Sequence, residues 1–377
     1  MKQTHRIAMA FATLVASVLF TSAATATPFA QTNLVSNVTG LAQITDPNLR
    51  NPWGMSFAPA GPFWISDQGT NLSTLYRAVN GVATVVPLVV SIPTTTAGPQ
   101  GPTGQVFNNA GANTFLLANN APATFIFANL NGTISAWNGA AGTVAQVRAT
   151  TPGRVYTGLA IAGSGANARL FAASSAGIDV FDSTFALVSS NSFVNNDPRI
   201  AGLVPFNVQT IGSNVYVTYA LPGRNAQIAA AEGSGAVAIF NTAGVLQETL
   251  VAGSRLASPW GVAIAPSTFG GFGGALLVGN FSFAVAEINA FDPLTGAYLG
   301  TIADQLGNPL INSGLWGIAF GNGASGSANT LYFNAGINGE RDGLFGSIAA
   351  IPEPEMAWLL VAGLGALLLG KRRRRAD

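Results

Sequence analysis

The sequence predicts an all-β protein built as a six-bladed β-propeller. Segments of about 50 residues recur six times along the chain, a period typical of repeat architectures. Each segment contains short apolar strands separated by turns rich in Gly, Asn and Asp. A β-sandwich would lack this period, and an α/β domain would show helical periodicity between its strands, which we do not find. Six antiparallel sheets closed into a ring leave only short, protected edges.

The first strand of each repeat follows a turn, and in five of the six repeats it carries glycine or a Trp-Gly pair at an equivalent place. The fourth repeat has Val208 there instead. Innermost strands crowd around the channel of a propeller and admit little side chain, so the glycines predict that these strands are innermost. The six openings are residues 51–57, 102–107, 156–161, 206–211, 258–264 and 315–320.

Two further strands are predicted in the repeats. Second strands are expected at residues 63–66, 124–128, 169–173, 215–219, 275–279 and 330–334. Third strands are expected at residues 134–138, 178–182, 237–241 and 288–292. Each of these third strands ends in an aromatic residue followed by Asp or Asn, which suits a tight turn because both tolerate left-handed backbone. Asp182 and Asp292 are therefore interpreted as turn residues.

The body of the chain, residues 27–350, is mildly acidic and contains no lysine, histidine or cysteine. Its nine basic residues are all arginine, and they face twelve acidic ones. Nucleic-acid binding calls for a basic surface, so we exclude nucleic acid as a partner. Without cysteine there is no disulfide framework, and stability must come from burial and backbone pairing.

The amino terminus has the pattern of a secretory signal peptide. Lys2 and Arg6 form a positive region, residues 7–20 are mostly apolar, and residues 24–26 are small. This predicts export with cleavage near Ala26 by signal peptidase, so residues 1–26 are assigned to the signal peptide. A retained amino-terminal membrane anchor is the alternative.

The carboxyl terminus, residues 351–377, combines a helix breaker, an apolar run and a basic block. The run at residues 356–370 carries no charge and would span only about 22 Å as a helix, short of the roughly 30 Å hydrocarbon core. A transient membrane anchor with its basic end in the cytoplasm fits this length. The segment resembles the PEP-CTERM sorting signal of Gram-negative bacteria, which implies recognition and cleavage by an exosortase. The matching residues are Pro352, Glu353, Pro354, Arg372, Arg373, Arg374 and Arg375.

Catalytic chemistry is restricted by the side chains that are missing. The sole histidine, His5, lies in the signal peptide. Ser-His-Asp and Cys-His catalysis, lysine nucleophiles and histidine-ligated metals are thereby excluded in the mature protein, and no catalytic residue is predicted. Carboxylate chemistry or an oxygen-ligated cation remains, for which the candidates are Asp67, Asp179, Asp182, Glu232, Glu287, Asp292, Glu340 and Asp342.

A calcium ion bound in the central channel is one interpretation of the polar residues. Six-bladed propellers of the lactonase kind hold such an ion with Glu, Asn and Asp oxygens, and calcium takes about six to eight oxygen ligands. Asn51, Asn207 and Asn280 fall at or near the ends of the predicted inner strands, so they are the candidate ligands. In the competing interpretation Asn and Asp simply cap turns between blades, and no cofactor is bound.

Several segments resemble an uncharacterised family of six-bladed propeller proteins. They include residues 51–54, 61–67, 276–281, 314–320 and 331–346, and the resemblance covers nearly all of residues 33–348. The family brings no established activity or site residues. At residues 280–283 the sequence is Asn-Phe-Ser-Phe where a Gly-Asp-Gly turn would be usual, which leaves that turn without an acidic ligand.

Two features admit both a structural and a ligand-binding interpretation. Trp53, Trp260 and Trp316 share one repeat position, so they either pack between blades or stack on sugars. Residues 338–343 place four polar side chains between glycines near the end of the last repeat. This loop either binds a ligand at the rim or is a solvated connection that closes the ring.

The sequence therefore predicts an exported, non-enzymatic propeller, sorted by exosortase through the inner membrane to the cell surface or extracellular matrix. Its expected role is a binding or structural module for exopolysaccharide or another envelope component. The alternative is a calcium-dependent hydrolase of the lactonase type that uses oxygen ligands in the channel.

Overall fold

The protein forms a ring of six antiparallel β-sheets. The computed structural model describes residues 27–93 and 98–352, and within these residues there are 25 strands and two short α-helices. Five sheets have four strands, and the sixth has five. This topology confirms the six-bladed β-propeller predicted from the sequence.

The blades follow one another along the chain, and each meanders outward from its innermost strand. Strands β1 (Phe29–Ser36) and β2 (Ile44–Thr45) precede blade 1 and belong to blade 6. Blade 1 contains β3 (Pro52–Ser56), β4 (Phe63–Asp67), β5 (Leu72–Val79) and β6 (Val82–Ser91). Blade 2 contains β7 (Pro102–Phe107), β8 (Phe125–Asn129), β9 (Thr133–Trp137) and β10 (Gln146–Thr150). Blade 3 contains β11 (Gly158–Ala162), β12 (Arg169–Ser174), β13 (Gly177–Asp182) and β14 (Leu187–Ser192).

The second half of the ring repeats this order with two helical insertions. Blade 4 contains β15 (Val204–Ile211), β16 (Asn214–Ala220), helix α1 (Arg224–Ile228), β17 (Gly235–Asn241) and β18 (Leu246–Ala252). Blade 5 contains β19 (Pro259–Ile264), β20 (Leu276–Asn280), β21 (Ile288–Phe291) and β22 (Tyr298–Thr301). Blade 6 contains β23 (Leu315–Phe320), β24 (Leu331–Ala335), helix α2 (Ile337–Glu340) and β25 (Leu344–Ala350). The innermost and second strands and the four predicted third strands agree with the sequence prediction, whereas β1, β2, the third strands β5 and β25 and the fourth strands were not located from the sequence.

Blade 6 is assembled from both ends of the described chain. Strand β1 pairs antiparallel with β25, from Phe29 opposite Ala350 to Ser36 opposite Leu344. Innermost strand β23 of this blade also contacts β3 of blade 1. Backbone hydrogen bonds between residues some 310 positions apart therefore close the ring.

The glycines of the innermost strands allow neighbouring blades to approach closely. A Cβ atom on Gly54 would lie 2.5 Å from the carbonyl oxygen of Thr103 in blade 2, and one on Gly317 would lie 2.8 Å from that of Trp53 in blade 1. The other three glycines at this position meet the next blade in the same way. Crowding around the channel, the reason given for these glycines from the sequence, is thus confirmed.

Apolar side chains fill the spaces between adjacent blades. Between blades 1 and 6, the ring of Phe63 packs on those of Tyr332 and Phe345, with centroids 4.6 and 5.4 Å apart. All three side chains are buried. Because the body has no cysteine, these interblade layers and the backbone ladders carry the stability of the ring.

The two faces of the disc differ in what they present. We call the face where the innermost strands begin the mouth face, and the face where they end the terminal face. Strand β25 runs in the same direction as β23, since β24 is antiparallel to both, so Ala350 lies on the terminal face. The amide of Ile351 donates to the carbonyl of Pro28 at 2.8 Å. The chain thus enters and leaves the propeller on the terminal face.

The predicted targeting segments lie almost wholly outside the described residues. The signal peptide ends before residue 27, and of the sorting motif only Pro352 is described, so Glu353, Pro354 and the arginines at 372–375 are not. Within residues 27–93 and 98–352, no helix is long and apolar enough to cross a membrane.

Candidate functional site

A cavity of about 420 Å³ lies at the mouth face and is the candidate functional site. Its volume falls in the range of about 300–1,000 Å³ that is usual for small-molecule sites. The polar side chains that line it include Asn51, Gln68, Ser175, Arg224, Gln227 and Glu340. The apolar ones are Trp53, Pro99, Leu130, Val155, Pro205 and Phe206. We call this space the mouth cavity.

Three tryptophans meet within the channel. Trp316 stacks on Trp53 with ring centroids 3.5 Å apart, and Trp260 meets both edge-on at 5.7 and 6.4 Å. All three are at most 4% exposed. They are buried, as one interpretation of the sequence expects, but they pack against one another in the channel. Trp53 lines the mouth cavity, whereas Trp260 lines a second cavity, so the indoles separate the two.

Arg224 lies over these rings. It begins helix α1, in the loop that joins the second and third strands of blade 4. The guanidinium carbon is 4.0 Å from the ring centroid of Phe281, 4.7 Å from that of Trp316 and 5.3 Å from that of Trp53. A cation so close to three aromatic rings gains cation–π attraction, which is worth about 0.5–2 kcal/mol depending on desolvation.

Glu340 of blade 6 pairs with Arg224 of blade 4 at the mouth. It ends helix α2 in blade 6, and its carboxylate accepts from both Nε and Nη2 of Arg224, the Nε contact being 3.0 Å. The same carboxylate accepts from Nδ2 of Asn51 at 3.1 Å, and that nitrogen also donates to Gln68 at 2.6 Å. Gln68 in turn donates to the carbonyl of Gln100 at 2.8 Å. This network, which we call the mouth clasp, links blades 1, 4 and 6 and reaches the start of blade 2.

Two buried donors at the mouth cavity lack acceptors. Nη1 of Arg224 and Nε1 of Trp53 are buried and have no hydrogen-bond partner among the described residues. Leaving a buried donor unpaired costs about 1–3 kcal/mol. Burial also lowers the pKa of Arg224 from its ordinary value, and the opposing pull of Glu340 does not cancel that effect. The guanidinium is therefore paired through Nε and Nη2 but has no acceptor at Nη1 among the described residues.

The second cavity, of about 400 Å³, is lined by innermost strands on the terminal side of the tryptophans. Its lining includes Met55, Phe57, Gln105, Asn207 and Ile318. No charged side chain lines it. It therefore has fewer groups than the mouth cavity that could bind a charged ligand.

The structure places the three candidate calcium ligands apart. Asn51 lines the mouth cavity, Asn207 lines the second cavity, and Asn280 lines neither. The amide oxygen of Asn51 accepts from Nε1 of Trp316 at 3.0 Å, and that of Asn280 accepts from the amide of Ala257 at 2.9 Å. Two of the three oxygens thus already have donors. Within residues 27–93 and 98–352, no group of three or more acidic or histidine side chains is placed to hold a metal.

Of the eight acidic candidates, only Glu340 lines the mouth cavity. Asp182 and Asp292 accept hydrogen bonds from the amides of their own turns, at 2.8–3.1 Å, as the sequence predicts. Asp179 accepts from Arg154 and from the hydroxyl of Tyr156, each at 2.8 Å, away from both cavities. The loop at residues 338–343 is thus the ligand-binding candidate that the structure brings to the channel.

Sequence reasoning missed Arg224, although a signal for it exists. Only two residues separate the second and third strands of blade 3, whereas residues 221–234 separate them in blade 4. The corresponding loop of blade 6 holds Glu340. Long insertions at equivalent places of a repeat are where function concentrates, so loop length would have pointed to this pair.

Comparison with known proteins gives relatives and a family. The chain is 31% identical over 328 residues to uncharacterized protein R648 of Acanthamoeba polyphaga mimivirus, across 84% of this chain and 78% of that protein. The chain belongs to the R648 family. Uncharacterized protein L690 of the same virus is 29% identical, across 84% of each chain. No family model matches the chain.

Solved structures resemble this propeller only loosely. A streptogramin B lyase structure superposes with a TM-score of 0.49 and 12% identity, covering 86% of this chain and 97% of that one. The Dos1 propeller gives 0.45 and 9%, covering 82% and 70%. At these values the similarity carries no argument about activity, and the strand topology itself establishes the fold.

Proposed function

We propose that this member of the R648 family is an exported, non-enzymatic binding module that holds exopolysaccharide or another envelope component at its channel mouth. The observation that carries the proposal is the mouth cavity, whose size suits a small ligand or one unit of a larger one. Its aliphatic and aromatic walls fit the C–H faces of sugar rings. Its amides and hydroxyls fit ring hydroxyl groups.

Backbone strain supports the same location. Asn51 and Glu340, both members of the mouth clasp, have φ angles of 42° and 64°. Asparagine tolerates this left-handed conformation, but it is unfavourable for a glutamate, and strained residues of that kind are often found at ligand sites and switch regions. The two residues are in direct contact, since Nδ2 of Asn51 donates to the carboxylate of Glu340 at 3.1 Å.

A binding role is favoured over catalysis by the chemistry of the cavity. Among the described residues its only carboxylate is that of Glu340, which is engaged by Arg224 and Asn51. General acid–base catalysis needs a group free to exchange a proton at the reacting centre, and covalent catalysis needs an activated nucleophile. The polar lining of the cavity is instead arranged to accept and donate hydrogen bonds.

The proposed location rests on the two ends of the sequence. The amino-terminal pattern of charge, apolar run and small residues supports export. The Pro-Glu-Pro motif with its apolar run and arginine block supports handling by exosortase at the inner membrane. Release to the cell surface or matrix would bring the mouth cavity to envelope polysaccharides.

Co-sedimentation with exopolysaccharide from the producing bacterium tests the proposal. Ser175 is exposed at the mouth, so Ser175→Trp fills the cavity without disturbing the buried rings. We expect the wild-type chain to sediment with the polysaccharide and Ser175→Trp to remain in solution. Leu306→Trp, at a side chain that is 86% exposed and outside the cavity, is the matched control and should sediment normally. Equal retention of all three, or of none, would contradict the proposal.

A further inference from the structure

We infer that the ligand of the mouth cavity carries a carboxylate, as a uronic acid unit of an acidic polysaccharide does, and that Arg224 and Trp53 bind it. The inference rests on the proposed function and adds the chemical class of the ligand. It starts from donors of the cavity that have no hydrogen-bond acceptor among the described residues.

Two donors of the cavity lining lack acceptors. Nη1 of Arg224 and Nε1 of Trp53 are buried without partners in the described part of the chain. The guanidinium carbon lies 5.3 Å from the centroid of the Trp53 ring, so both donors belong to one small region. Buried polar groups in folded proteins almost always have partners, so unpaired ones at a cavity point to a missing acceptor.

The free edge of the Arg224 guanidinium favours an acceptor that is negative, because charged hydrogen bonds are stronger than neutral ones. Among the described residues of the lining, Arg224 is the only basic one and Glu340 the only acidic one. Glu340 occupies the Nε and Nη2 edge of the guanidinium, which leaves the Nη1 side for a second anion. Arginine suits this because its planar group presents donors in several directions.

The rest of the lining suits the body of a sugar. Pro99, Leu130 and Pro205 are apolar walls, and Ser175 and Gln227 add polar groups around them. A volume of about 420 Å³ admits more than a carboxylate alone. A carboxylate on a ring with hydroxyl groups would therefore use both parts of the cavity.

Calorimetric titration of the full-length chain in detergent with trigalacturonate and with its methyl ester tests the inference. The ester keeps the ring and hydroxyl groups but removes the charge. We expect the acid to bind at least about tenfold more tightly than the ester, since charged hydrogen bonds are stronger than neutral ones. Equal affinity of acid and ester overturns the carboxylate inference, yet it leaves the proposed binding function standing if Ser175→Trp abolishes both.

Variants separate direct contact from a structural role. Trp53→Phe keeps an aromatic ring but removes the N–H, and Arg224→Gln removes the charge. We expect Trp53→Phe to reduce the preference for acid over ester several-fold and Arg224→Gln to abolish it, with ester binding retained. Trp64→Phe, at a tryptophan buried between blades 1 and 2, is the matched control and should keep the preference. An unchanged preference in both cavity variants overturns the assignment, as does the absence of binding by either sugar.

Discussion

Asp67 is fully buried at the end of β4, and neither of its carboxylate oxygens has a hydrogen-bond partner among the described residues. Burial raises its pKa well above the ordinary value of an aspartate; contact with Thr74 opposes this, and the nearby charge of Asp46 adds to it. Tyr76 is also close, and its hydroxyl donates to Asp46 at 2.8 Å. A buried carboxyl in this setting holds its proton and weakens the fold when it must ionise.

Asp67→Asn should therefore stabilise the protein at alkaline pH. The folded state keeps the proton of Asp67 to higher pH than the unfolded chain does, so between those two pKa values the free energy of unfolding falls as pH rises. Asparagine removes that dependence. We expect the variant to be more stable than wild type at pH 8, with a difference that shrinks towards pH 4. Denaturant unfolding at both pH values measures it.

Asp292→Asn provides a control with the opposite sign. Backbone amides of its turn lower the pKa of Asp292, so its contribution to stability is present above the ordinary pKa of aspartate and lost at acid pH. This variant should be slightly less stable than wild type at pH 8. A destabilised Asp67→Asn at pH 8 would contradict our description of Asp67.

Calcium should not stabilise the protein. The amide oxygens of Asn51 and Asn280 already accept hydrogen bonds, and Asn207 lies in a different cavity from Asn51. We expect the same melting temperature with calcium and with a chelator. Calcium at about 100 times its dissociation constant would add about 2.7 kcal/mol if a site existed, which a thermal melt detects readily. A clear rise with calcium would restore the lactonase-type alternative.

At the level of elements, most buried strands were predictable and the exposed fourth strands were not, although the largely buried β5 and β25 were also missed. Strand β8, the second strand of blade 2, is buried along its whole length, and its first four residues form a continuous apolar run. Strand β14, by contrast, is almost wholly exposed, and its sequence LVSSNS gives little signal. Strand β1 was missed for a different reason. Its partner β25 lies some 310 residues away, and sequence periodicity carries no information about such pairing.

The candidate site, like the strands, was predictable only in part. The Trp-Gly repeats placed Trp53 and Trp316 on innermost strands, and the loop with Glu340 was recognised as polar. Arg224 was not identified because its signal is the length of the loop between the second and third strands of blade 4, not a residue motif. The contact between Arg224 and Glu340 joins residues 116 positions apart and depends on how blades 4 and 6 meet, which local sequence does not encode.

Gly104 tests the importance of close blade contact. Its Cβ would clash with the backbone of Gly158 and Leu159 in the next blade, where no flexible side chain can move away. We expect Gly104→Ala to lower the free energy of unfolding by at least about 2 kcal/mol, as overpacking against backbone does. Gly139→Ala is the matched control, because a Cβ there meets nothing within 4 Å. Similar denaturation midpoints for the two variants would count against the packing argument.

Over the whole molecule, the ends of the described chain and the mouth cavity lie on opposite faces. The chain enters and leaves the propeller on the terminal face, whereas the mouth cavity opens on the other. If residues 356–370 insert in a membrane during sorting, as we propose, the mouth cavity points away from that membrane. A ligand in the surrounding space would then reach Arg224 and Glu340 before the protein is released.

Hydrogen exchange of the full-length chain, with and without fragmented exopolysaccharide, tests the central claim most directly. The claim is that ligand binds at the mouth cavity. We expect slower exchange at residues 51–53, 223–228 and 337–342, which carry Trp53, Arg224 and Glu340, and unchanged exchange in the outer strands. Protection confined to the outer strands or the terminal face, or no protection at saturating polysaccharide, would contradict the account.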